Sequence, residues 1–174
     1  MQISVIRLGH RVGRDLRTTT HVSLTSRALG ANEIILCGEH EPQIEKTVQS
    51  ITERWGGEFY ITYSSNWKKT LREKQKNGFT LVHSTMYGEP IQKIAKKLQT
   101  KRKICIVVGA EKVPWEVYQI ADYNISVTGQ PHSETAALAI ILHELQKGKE
   151  LRKKFSNAKL RIVPQKKGKK VLQL

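Results

Sequence analysis

Two hydrophobic rhythms alternate along this chain. Short apolar runs such as Ile3–Leu8 and Lys103–Val108 suit strands buried on both faces. Between them lie stretches whose apolar residues recur every three or four positions, which suits helices packed on a sheet. The strands predicted in this way are Ile3–Leu8, Glu33–Cys37, Glu58–Tyr63, Phe79–His83, Lys103–Val108 and Asn124–Thr128. The helices are signalled at their ends. One starts at Thr18, Thr19 or Thr20 and runs to about Leu29, with Gly30 as its stop. The next is Pro42–Trp55, with Pro near its first turn and Gly56-Gly57 after it. Asn66 caps a basic helix to about Lys76, and Pro90–Leu98, Pro114–Ala121 and Ser133–Gln146 complete the set. Strands alternating with helices predict an α/β fold, a mostly parallel sheet with helices on both faces.

The last twenty residues break the rhythm. Lys159–Pro164 and Lys170–Leu174 flank Gln165-Lys-Lys-Gly168, which reads as a hairpin. Residues 1–154 are therefore expected to form one domain and 155–174 a basic β-hairpin extension. A chain of 174 residues buries roughly two-thirds of its unfolded surface in one core. The longest apolar run, Ala136–Leu142, falls far short of the ~20 residues a membrane span needs. The opening residues show no secretory pattern, and Cys37 and Cys105 sit apart in apolar runs, as buried thiols of a cytoplasmic protein would.

Charge adds a second layer. The chain carries 30 Lys+Arg against 15 Asp+Glu. Residues 1–27 hold five arginines against Asp15, and residues 147–174 hold eleven basic residues against Glu150. The 119 residues between carry a net charge of only +1. Two cationic ends around a neutral middle point to a polyanionic partner, a folded nucleic acid rather than a membrane surface, and no DNA partner is expected. No aromatic falls in residues 1–27 and Phe155 is the only one in the tail. The expectation is that the basic ends hold phosphates and recognise shape instead of stacking single bases.

Three loops at predicted strand ends join Gly or Pro to small polar residues: His83–Gly88, Gly109–Pro114 and Gly129–Glu134. In a parallel sheet, ligands bind at the carboxyl ends of strands, so three such loops suggest one small-molecule pocket. No phosphate-loop signature, clustered metal ligands or nucleophile elbow occurs, and no metal is expected. Arg7, His10, Arg11, Arg14, Asp15 and Arg17 crowd into eleven residues where the first strand passes into the first helix. Mutual repulsion makes that cluster costly as a structural element, with only Asp15 to offset it locally. It makes sense as a site that grips phosphate or draws off a hydroxyl proton.

Several stretches together resemble the archaeal tRNA ribose 2′-O-methyltransferases of the SPOUT superfamily that act on the T-loop cytidine at tRNA position 56. They are Arg7-Leu-Gly-His-Arg11, Arg14-Asp15, Thr19-Thr-His-Val22, Arg27-Ala28, Gly30-Ala31, Arg54-Trp-Gly-Gly57, Thr85-Met-Tyr-Gly88, Val107-Val-Gly-Ala-Glu-Lys-Val-Pro114, Gln130-Pro-His-Ser-Glu134 and Ile162-Val-Pro-Gln165. The resemblance implies a deep C-terminal trefoil knot, a homodimer with an active site completed across its interface, a tRNA substrate, and bent S-adenosylmethionine as methyl donor. Carried over by position, the cofactor would meet Ser84, Gly109, Ala110, Glu111, Lys112 and Val113, then Val127, Thr128, Gly129, Gln130, Pro131, His132, Ser133 and Glu134. Related enzymes place an apolar residue where Ser84 stands. They also carry a catalytic arginine in the first helix, where this chain has Leu24, with Thr18 in place of an upstream Asn. The resemblance therefore shifts the catalytic assignment to Arg14 and Arg17, with Arg27 next. The competing class is a non-catalytic protein that uses its cationic ends on structured RNA.

Overall fold

Residue Ile3 begins six consecutive buried positions, and the strand that contains them, β1 (Gln2–His10), lies inside the sheet. The computed structural model describes residues 1–109 and 112–174. Around β1 are β2 (Glu33–Gly38), β3 (Tyr60–Ser64), β4 (Thr80–Pro90), β5 (Lys103–Val108) and β6 (Tyr123–Ser126). Their order is β3-β2-β1-β5-β4-β6, and every pairing is parallel. The chain builds outward from β1 on one side, then crosses to the other. That reversal opens a crevice at the carboxyl ends of β1 and β5.

The helices are α1 (Leu16–Ala28), α2 (Pro42–Trp55), α3 (Trp67–Lys76), α4 (Ile91–Leu98), α5 (Trp115–Ile120) and α6 (Glu134–Gln146). Ile3 and Val5 share a core with Val22 of α1, Ile44 of α2, Ile94 of α4 and Leu138 of α6. Ile6 and Leu8, pointing the other way as strand alternation requires, pack with Leu71 of α3 and Val117 of α5. The helices therefore cover both faces, as the hydrophobic pattern predicts. Asn66 and Ser133 cap α3 and α6 by accepting the backbone N–H of Lys69 (3.0 Å) and Ala136 (3.1 Å).

Two boundaries depart from the pattern. Helix α1 begins before the threonines, because an Asp15 N–H bond to the Arg11 carbonyl (3.0 Å) already closes a turn. Strand β4 runs past His83 to Pro90. Ser84 and Glu89 both pair with Ile125, so residues 85–88 loop out between them. Gly88 makes the return possible: a Cβ there would fall on the backbone of Asn124 and Ile125.

After α6 the chain passes a short helical turn at Lys149–Arg152 and reaches the antiparallel pair β7 (Leu160–Ile162) and β8 (Val171–Gln173), the expected hairpin. Its approach is anchored on the end of α2. The Gly57 N–H donates to the Ser156 carbonyl (2.7 Å) and the Lys159 N–H to the Arg54 carbonyl (3.0 Å). Gly56, at φ +74°, lies so close that a Cβ would strike the Ser156 carbonyl oxygen. Cys37 and Cys105 are buried free thiols, and burial pushes them up to about 11 and about 12.

Candidate active site

Strand β1 delivers the first site residues. It extends past the predicted end at Leu8, so His10 as well as Arg7 is a buried strand residue, each about 1% exposed. Both meet acids that are distant in sequence. Arg7 Nη2 lies 3.3 Å from Glu134 Oε1 at the start of α6. His10 Nδ1 meets the Thr19 hydroxyl and its Nε2 meets Glu41, both at 2.9 Å. Arg11 pairs with Asp15 through Nε (2.8 Å) and Nη2 (3.1 Å). The local count, with Asp15 as the only compensator, is thus corrected by Glu134 and Glu41, which tertiary structure brings in.

Burial lowers the pKa of Arg7, while the Glu134 and Asp15 charges oppose that shift. Its Nε and Nη1 have no hydrogen-bond partner among the described residues. Such buried donors are costly unless a ligand or a moving neighbour satisfies them. The Arg11 fork holds the Asp15 carboxyl below its ordinary range. That carboxylate also accepts the Arg11 backbone N–H (3.1 Å), so it is committed to the corner rather than to capping α1.

These residues form one wall of a cavity of about 660 Å³ at the carboxyl ends of β1, β4 and β5. Arg7, Arg11, Arg14, Asp15 and Thr18 contribute from the β1–α1 corner, Ser84–Tyr87 from the β4 excursion, and Gly109 and Val113 from beyond β5. His132 contributes from before α6 and Glu134 from its first turn. One cavity thus draws on all three loops singled out in the sequence. Gly109 is tightly placed, since a Cβ would collide with the Val113 side chain. The cavity straddles the sheet: Arg7 approaches from the α1–α6 face, and His83 from the α3–α5 face.

His83 is fully buried. Its Nδ1 lies 2.8 Å from Asn124 Oδ1, its ring edge meets Tyr118 at 4.6 Å between centroids, and burial lowers its pKa. Tyr118 also lines the cavity, with its hydroxyl 3.2 Å from that of Thr85. Nothing in the spacing around Tyr118 marks it; only the packing of α5 against β4 brings it there.

Of the residues expected to touch a cofactor, Ser84, Gly109, Val113, His132 and Glu134 line the cavity. Lys112, Thr128, Gly129, Gln130, Pro131 and Ser133 are exposed nearby in sequence, and Val127 packs on the core. Ala110 and Glu111 lie outside the described residues. Arg14 is exposed at the cavity wall, whereas Arg17 is exposed on α1 and is not among the described lining residues. Arg27 is placed elsewhere altogether. It is buried, donates to the Thr52 hydroxyl (3.1 Å) and the Gly56 carbonyl (2.5 Å), and lies over the Phe155 ring at 5.1 Å. Among the described residues, no three His, Cys, Asp or Glu side chains gather as metal ligands, and no helix is long and apolar enough to cross a membrane.

Comparison with known proteins gives consistent matches. Residues 55–172 match the family described as tRNA ribose 2′-O-methyltransferase, aTrm56. The chain is 53% identical to the tRNA (cytidine(56)-2′-O)-methyltransferase of Thermococcus kodakarensis, with 99% of this chain and 97% of that one aligned. It is 49% identical to the Methanocaldococcus jannaschii protein of the same name, with 99% and 97% aligned. Among solved structures it is similar to an RNA 2′-O ribose methyltransferase, with TM-score 0.65, 15% identity, and 85% of this chain and 57% of that chain covered. The SpoU methyltransferase AviRb from Streptomyces viridochromogenes, in complex with AdoMet, gives TM-score 0.62 and 12% identity over 86% and 58%. This chain therefore spans little more than half the length of those two solved structures, and the likeness to them is one of fold.

Proposed function

This chain belongs to the aTrm56 family of tRNA ribose 2′-O-methyltransferases, and from that premise we propose that it methylates the 2′-hydroxyl of the cytidine at tRNA position 56, with S-adenosylmethionine as donor. One observation carries the reading: a single cavity is bounded both by the loops that end β4, β5 and β6 and by the arginine corner after β1. An RNA-binding module that used only its cationic ends would have no use for it.

The cavity's residues fit the cofactor. Its volume falls within the range of small-molecule sites, about 300–1,000 Å³. The bare backbone at Gly109 and the neighbouring polar loops offer N–H and C=O groups to a ligand. Ser84, Gly109–Val113 and Val127–Glu134 are the residues we assign to hold it. When bound, the cofactor supplies a methyl group on a positively charged sulfur, an already activated donor.

The protein's remaining tasks are to position the ribose and to accommodate the charge that develops as its hydroxyl loses a proton. Arg14 is assigned that second task, because it lines the cavity and Arg17 does not. A guanidinium stays protonated and cannot act as a base. It stabilises the developing alkoxide, and a substrate phosphate or water takes the proton. Arg7, fixed against Glu134, holds that carboxylate in the wall. The same reading includes a homodimer, a trefoil knot built by the C-terminal strands and α6, and a cytoplasmic location.

The test is calorimetry with S-adenosylmethionine, followed by methyl transfer to two tRNA transcripts, one with ribose and one with 2′-deoxyribose at cytidine 56. Binding of the cofactor and methylation of the ribose transcript alone are expected. Absence of cofactor binding would leave only the RNA-binding reading.

A further inference from the structure

The neutral middle of the chain places aromatic rings at the cavity mouth. Tyr87 is 81% exposed and Trp115 is 69% exposed. Trp115 lies stacked with Tyr118 at 5.6 Å and an interplanar angle of 22°. Tyr118 is the fixed member, held through His83, Thr85 and a hydrogen bond from Asn124 Nδ2 to its carbonyl (2.9 Å). Around these rings runs a groove of about 560 Å³, edged by the amides of Gln119 and Asn124. Tyr87 and Tyr118 line both groove and cavity, so the two adjoin.

We propose that Tyr87, Trp115 and Tyr118 form a shelf on which a T-loop nucleobase of the tRNA stacks while the neighbouring cavity receives the ribose. The proposal rests on the tRNA reading above and names how that same site holds its substrate. A ribose within a folded loop is reached by displacing bases from their stacks, which costs a few kcal/mol. Aromatic faces at the mouth recover that cost, because every base presents a π-face of matching size. The occupant is a base rather than a protein surface on two grounds. The apolar strip is only a few rings wide and ends at the Gln119 carboxamide, which suits a base edge. The cavity it adjoins is lined by Arg11 and Arg14, where a sugar–phosphate backbone is complemented. Glu116, next to Trp115, is paired with Lys68 at 2.8 Å, so no unpaired acid at that position repels the RNA. The sequence-based expectation that bases would not be stacked concerns the two cationic ends, where aromatics are scarce. It does not extend to the middle, from which the fold brings these rings.

The test measures equilibrium binding of a tRNA transcript to the whole protein and to Trp115→Ala, Tyr87→Ala and Trp115→Phe. Both Ala variants should bind about five- to a hundredfold more weakly, and Trp115→Phe should keep most of the affinity. The cofactor affinity of Trp115→Ala, whose ring lines the groove and not the described cavity wall, should not change when read by calorimetry. Transcripts made abasic at single T-loop positions complete the cycle. At one position, wild type should weaken and the Ala variants should lose little more. The shelf is overturned if the Ala variants bind intact transcript normally, if their loss persists on every abasic transcript, or if the cofactor affinity of Trp115→Ala falls in parallel. A wild type that methylates cytidine 56 while shelf variants bind normally overturns the shelf alone. A wild type that does not methylate tRNA overturns the reading beneath it.

Discussion

The arginine corner after β1 and the lysine tail after α6 both looked like excess positive charge, yet they are built on opposite principles. In the corner, basic residues are individually placed: Arg7 against Glu134, Arg11 against Asp15, and His10 between Thr19 and Glu41. In the hairpin, Lys166, Lys167, Lys169 and Lys170 are exposed, and the region's one acid, Glu150, is taken by His143 at 2.7 Å. Charge fixed by partners in a partly closed cavity acts on one atom of a substrate. Charge on a solvated strand end acts on a field, through counterion release, and carries little geometric information.

The sharpest way to break the comparison is at Arg14. If the corner is geometric, Arg14→Ala should cut kcat by about 10²–10³-fold, the scale of a lost donor to a developing oxyanion, with cofactor affinity unchanged. Arg17→Ala should remain within about threefold of wild type on the same scale. Single-turnover methylation with calorimetry on both variants decides it. Equal losses in both would mean that the corner acts as a diffuse field after all.

Arg27 joins the two regions and gives the next largest effect. It spans from α1 to the Gly56 carbonyl and the Phe155 ring at the root of the tail. Arg27→Leu strips the Gly56 carbonyl of its charged donor and should cost about 1–3 kcal/mol in urea unfolding. Single-turnover rates should stay near wild type, because the residue stands apart from the cavity. A large rate loss without destabilisation would return Arg27 to the catalytic candidates.

The layers of the fold were legible because they depend on periodicity, and the caps because they depend on local hydrogen bonding. Asn66, Ser133 and the stop at Gly56 all act within a turn of their own position. The three cavity loops were legible for a related reason: strand ends rich in Gly and Pro are local features. What stayed hidden is non-local. The pairing of Arg7 with Glu134, the convergence of Tyr118 on His83, and the seat of Arg27 against Phe155 each join residues from elements remote in sequence. A local charge count therefore overstated the repulsion in the corner, and Arg27 stood among the catalytic candidates with nothing local to place it at the root of the tail. The Arg54-Trp-Gly-Gly57 stretch, weak as a motif, acquires its reason only once the tail is seen crossing Gly56.

The tail yields the smallest effect and the most diagnostic one. Truncation before Lys159 would also remove its bond to Arg54, so neutralisation is the cleaner change. Replacing Lys166, Lys167, Lys169 and Lys170 with Gln should weaken tRNA binding by about tenfold near physiological salt and flatten its dependence on log salt. Each lysine that meets a phosphate contributes about 0.7–0.9 to that slope, so the change in slope counts the contacts. Thermal stability should hardly move, since the four side chains are exposed and their exposed charges contribute little to folding. kcat at saturating tRNA should also hold, because a non-geometric field acts on association and not on the transition state. An unchanged slope with reduced stability would show that the lysines serve the hairpin's own packing, and the contrast between a placed and a diffuse cationic region would collapse.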